Sequence, residues 1–143
     1  GDAKLAQQEL DRLTVVVSRA NPVMQVSQPS LLLAGREHPV AMVVRELWPV
    51  LEAVSAKHQS SGQVFEKLSR FFKHAMRTCK EHFEPLLRPL IAYLVGTFSV
   101  VPHSSCLYCG SICVTEFGRK GPEFTAVLFQ MLSDFAQAVF RCL

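Results

Sequence analysis

The stretch Ser61 to Phe83, SGQVFEKLSRFFKHAMRTCKEHF, limits the possible fold more than any other part of the chain. Wound at about 100° per residue, it puts Val64, Phe65, Leu68, Phe71, Phe72, Ala75, Met76, Cys79 and Phe83 on one half of a cylinder. That half is a core face. The other half carries Lys67, Arg70, Lys73, His74, Arg77 and Lys80, with Glu66 and Glu81 as its only acids. Five permanent cations against two carboxylates leave +3, which equals the formal net charge of the whole chain.

Charge-rich helix faces are most often solvated surface. Stabilising surfaces, however, alternate sign at i, i+4, whereas Lys67, Arg70, Lys73, Arg77 and Lys80 repel one another. A face that costs stability in this way is expected to serve an anionic partner.

At 143 residues the chain is long enough for one real core. With 49% hydrophobic and 19% charged residues it is more apolar than usual for its length, so its end surfaces are expected to be covered. The richest apolar run, Leu90 to Val101, is bounded by Pro89 and Pro102 and is too short to span a bilayer. The N-terminus is polar and mixed in charge, unlike a signal peptide. The five cysteines, Cys79, Cys106, Cys109, Cys113 and Cys142, lack the spread of a disulfide framework and read as reduced intracellular thiols.

Leu5, Leu10, Leu13, Val16 and Val17 have helical spacing, and Asn21-Pro22 is expected to end that helix. Residues 21–37 then read as a long inter-helix loop. His38-Pro39 opens a second helix that runs to about Lys57, with a kink expected at Pro49. The basic helix follows, then one from Glu84-Pro85 to Pro102, one from His103 or Ser104 to the Gly118–Gly121 turn, and one from Pro122 onward. No clean strand alternation occurs.

The fold class expected is all-α: about six antiparallel helices in a HEAT-type solenoid, pairs recurring at about forty residues. Residues 1–143 read as a segment of a larger solenoid, with helices one, three and five in one layer and two, four and six in the other.

LDRLTVVVSRANPV (Leu10–Val23), HPVAMVVRELWPVL (His38–Leu51), LLRPLIAYLV (Leu86–Val95) and HSSCLYCGSICVTEFG (His103–Gly118), in that order around the basic helix, resemble the transportin 3/importin 13 branch of the importin-β superfamily. The resemblance spans roughly residues 10–140 and rests on segment order, not on a catalytic signature. It implies a HEAT-repeat nuclear import receptor that carries Arg-Ser-rich (SR) cargo, releases it to Ran-GTP and shuttles between cytoplasm and nucleus. The cargo-binding positions it implies are Lys67, Arg70, Lys73 and Arg77, with Ran-GTP bound by repeats outside this chain. Where Lys stands in place of Arg, a point charge replaces a bidentate fork, and weaker phosphate selectivity is expected. Glu66 and Glu81 are candidates for pairing with cargo arginines.

His103, Cys106, Cys109 and Cys113 have soft-ligand character, but the three cysteines at i, i+3, i+7 share one helix face and read as core packing, with no metal. Trp48 reads as a core anchor. The five histidines are scattered, and Gly118-Arg119-Lys120-Gly121 lacks P-loop spacing. An enzyme is not expected, nor a cofactor or a membrane partner. The alternatives to cargo binding are a nucleic-acid or general polyanion-binding helical repeat and an exportin-type segment. Single-stranded RNA is disfavoured because Phe65, Phe71 and Phe72 lie on the buried side of the cations.

Overall fold

The computed structural model describes residues 1–143 apart from Ala34 and Arg36, and over 23–33 it describes the backbone alone. Among the described residues there are six α-helices and no strand: α1 (Asp2–Leu33), α2 (Pro39–Lys57), α3 (Gly62–Cys79), α4 (Glu84–Val100), α5 (Ser104–Phe117) and α6 (Pro122–Cys142). A 3-10 turn over Lys80–Phe83 joins α3 directly to α4. None of these helices is long and apolar enough to cross a membrane.

Two helix starts follow from local chemistry. His38 Nδ1 accepts from the Val40 N–H at 3.2 Å, while Pro39 occupies a first-turn position that needs no N–H. Ser61 Oγ accepts from the Val64 N–H at 3.3 Å and opens α3.

The expected loop over 21–37 is a correction: α1 passes through Asn21-Pro22 and stays helical to Leu33. Proline removes one intrahelical bond, which a helix with many turns on either side absorbs. The stop lies instead at Gly35, whose φ of +64° is the left-handed conformation that ends helices. Of the remainder of that stretch, Ala34 and Arg36 lie outside the described residues. Pro49 likewise sits inside a continuous α2.

The two-layer arrangement is as expected. α3 lies between α1 and α5, α4 lies against α6, and α2 packs on α3. All nine apolar residues assigned to the core side of the central helix and the turn after it are buried. Phe72 is their hub: its ring lies 5.5 Å from those of Trp48 and Phe71 and 6.2 Å from that of Tyr93, which joins α2, α3 and α4. Phe83 stacks near Phe117 at 6.2 Å, and Phe117 near Phe124 at 5.8 Å, which carries the core on to α5 and α6.

Cys106, Cys109 and Cys113 are buried on α5, the packing role their spacing predicts. Cys113 Sγ lies 3.8 Å from Met76 Sδ. Burial pushes the Cys79 thiol up to about 12 and the Cys106 thiol to about 11. Gly110 lets α6 approach closely, since a Cβ there would stand 3.0 Å from Phe135 Cε2.

Candidate anion-binding groove

The central position of α3 determines the surroundings of its cations. At one end Lys67 Nζ is 3.1 Å from Asp11 Oδ1 of α1. At the other Arg77 Nε is 3.2 Å from Glu116 Oε1 of α5. Two of the four expected cargo-binding residues are therefore engaged by acids of neighbouring helices. Arg70 and Lys73 lie between them and enter no ion pair among the described residues.

Arg70 and Lys73 open into a groove of about 640 Å³ between α3 and the first turns of α5, where Glu66, Ser69, Ser104, Ser105 and Tyr108 complete the lining. Two contacts fix the α5 terminus there. Ser69 Oγ donates to the Ser105 carbonyl at 2.8 Å. His103 precedes α5, stacks on Phe65 at 4.5 Å and donates from Nε2 to the Gln59 carbonyl at 2.7 Å. The unsatisfied N–H groups at the start of a helix add positive character to that wall.

His74 reports the field. Burial holds its imidazole below the usual range, and the charges of Lys73, Arg70 and Arg77 push it the same way. Lys73 Nζ also stands 6.0 Å from the centre of the Tyr108 ring, so an exposed aromatic from α5 joins the cations.

The structure thus brings Arg70 and Lys73 together, with Glu66 on the same wall, and places Lys67 and Arg77 at the flanks. Glu81 is in the Lys80–Phe83 turn, away from the groove lining. Ser104, Ser105 and Tyr108 escaped the sequence reading because they come from another helix and carry no charge. Among the described residues no three His, Cys, Asp or Glu side chains stand together in a way that could hold a metal ion. The groove can hold an anion beside a flat ring, with one carboxylate at the edge for a cation.

Residues 38–143 match the family model described as "Transportin-3/Importin-13 fourth TPR domain". From α2 onward the helix pairs recur at about forty residues, longer than the ~34 of tetratricopeptide repeats and near the HEAT range, whereas the long α1 starts sixty residues before α3. Over 106 residues the chain is 24% identical to importin-13 of Rattus norvegicus and of Mus musculus and 23% identical to that of Homo sapiens. Each match covers 73% of this chain and 11% of the relative, so the chain spans a small part of the length of these proteins. The segment order around the basic helix and the match across α2 to α6 agree: the chain belongs to the transportin-3/importin-13 family.

Proposed function

We propose that this chain is a cargo-binding segment of a nuclear import receptor and that the α3–α5 groove takes a phosphorylated or acidic stretch of an Arg-Ser-rich protein. The observation that carries this reading is the pair Arg70 and Lys73, free of acid partners among the described residues and converging on the start of α5. A phosphoserine brings roughly −1.5 to −2 charges and three acceptor oxygens, which suits two cations and a helix start. Glu66, one turn before Arg70, is placed for a cargo arginine. Lys67 and Arg77 then act as struts that hold α3 to α1 and α5, while Arg70 and Lys73 contact the cargo.

Residues 1–143 are, in this reading, part of a longer solenoid whose other repeats bind Ran-GTP and which shuttles between cytoplasm and nucleus. Val16 on α1 and Phe129 and Phe140 on α6 are each about two-thirds or more exposed, as expected of faces that neighbouring helices cover.

The test is fluorescence anisotropy of a labelled Arg-Ser peptide, phosphorylated and unphosphorylated, against the chain and its Arg70→Glu/Lys73→Glu variant. Phosphate-dependent binding lost in the variant supports the reading. Binding indifferent to the variant moves the cargo site elsewhere. Tyr108 beside Lys73 favours one second reading, single-stranded RNA bound by stacking and charge. An RNA oligonucleotide that competes as well as the phosphopeptide would establish that reading instead.

A further inference from the structure

The N-terminus of α2 meets the α3–α4 corner through two imidazoles. His38 is 1% exposed, and its ring centre lies 5.3 Å from that of His82 in the Lys80–Phe83 turn. Nδ1 of His38 accepts the Val40 N–H, so in the neutral ring the proton is on Nε2. That Nε2 is buried with no hydrogen-bond partner among the described residues, and so is Nε2 of His82. The same tautomer removes the lone pair that a metal would need at His38 Nε2. The corner is also strained, because Lys80 holds φ at +50° without being glycine. Strain and unmet polar atoms at one joint each cost stability there.

We propose that this contact is a proton-sensitive latch: neutral His38 fastens the first turn of α2 to the Lys80–Phe83 corner, and protonation of His38 undoes the cap and the ring contact together. A proton on Nδ1 turns the cap acceptor into a donor facing the Val40 N–H. The resulting cation sits at the positive end of α2, buried away from bulk solvent. The groups around it act in both directions. His82 opposes a charge on His38, and Glu81 favours it. Glu37, the preceding residue, is held by Arg45 at 2.6 Å. Burial is the largest influence and keeps the ring neutral. With the latch open, α2 loses its fixed angle to α3 and α4, and the stack gains a hinge at that joint.

The test is amide hydrogen exchange by NMR on the full 143-residue chain at Val40 and Met42, whose N–H groups bond to His38 Nδ1 and to the His38 carbonyl. Between pH 7.5 and 5, protection corrected for intrinsic rates is expected to fall about tenfold in the first turn of α2 and to hold on α3. His38→Asn keeps a side-chain acceptor at the cap but cannot titrate, and its profile is expected to be flat. His82→Gln removes the opposing ring and is expected to move the step to higher pH. A flat wild-type profile, or the same step in His38→Asn, overturns the proposal. Should His38→Asn not fold, a His82→Gln step unmoved from wild type overturns it equally.

Discussion

Arg77 on α3 donates from Nε to Glu116 Oε1 on α5 at 3.2 Å, across thirty-nine residues of sequence. The pair is half-exposed, so its worth is about 0.2–1 kcal/mol. Arg77→Gln is therefore expected to lower stability in urea by less than about 1 kcal/mol and to leave phosphopeptide affinity within about twofold. Arg70→Gln is expected to leave stability unchanged and to weaken the same peptide about tenfold or more, the cost of a charge-assisted hydrogen bond. Equal losses from the two variants would return Arg77 to the binding surface.

Phe72 joins three helices through Trp48, Phe71 and Tyr93 and is 1% exposed. Phe72→Ala removes a buried ring that no neighbour can replace, with an expected loss of about 3–5 kcal/mol. Phe129→Ala, on the exposed side of α6, is expected to change stability by under about 0.5 kcal/mol. Urea midpoints of the two variants decide the matter. A loss at Phe72 below that at Phe129 would displace it as the hub.

The division between legible and hidden follows from what each signal depends on. The core side of α3 was legible because burial follows a 3.6-residue period inside one segment, and Phe65, Phe71 and Phe72 obey it. The end of α1 was misplaced because Pro22 is a local signal that a long helix overrides, while the operative stop was Gly35. Arg70 and Lys73 could be named from sequence. That Lys67 and Arg77 are engaged could not, since Asp11 and Glu116 come from other helices and only the stacking of α1 and α5 on α3 brings them near. Tyr108 was hidden for the same reason, and the absence of an exposed aromatic among the cations held for α3 alone.

Thiol chemistry gives a prediction independent of any ligand. Cys79, Cys106, Cys109 and Cys113 are buried, and Cys142 is exposed. A thiol pushed up to about 11 or 12 has almost no thiolate at neutral pH, and the thiolate is the nucleophile. An aromatic disulfide reagent at pH 8 is expected to modify Cys142 promptly and the other four only on unfolding. Fast modification of two or more cysteines in the native chain would contradict the packing of α3 against α5.

Lys80 carries a positive φ at the junction of α3 with the 3-10 turn. A side chain in that conformation costs on the order of 1 kcal/mol or more, and glycine adopts it freely. Lys80→Gly is expected to raise the thermal midpoint by a few degrees, against Lys80→Ala as the control for loss of the charge. A lower midpoint for the glycine than for the alanine variant would show that the strain is absent.

His74 couples stability to the groove. Its imidazole is held below the usual value of about 6.5, first by burial and then by Lys73, Arg70 and Arg77. The unfolded chain therefore binds a proton more readily than the folded one, and folded stability falls as pH drops below about 6.5 towards the lowered native value. His74→Gln is expected to flatten that part of the pH profile, and added salt to flatten it partly, because salt screens the three cations but does not relieve burial. An anion seated on Arg70 and Lys73 would offset their charge at the ring. The His74 ring proton is accordingly expected to titrate at higher pH with the phosphopeptide bound than without it, followed by NMR. A His74 titration unmoved by saturating phosphopeptide would place the anion away from Arg70 and Lys73, even if the peptide binds tightly.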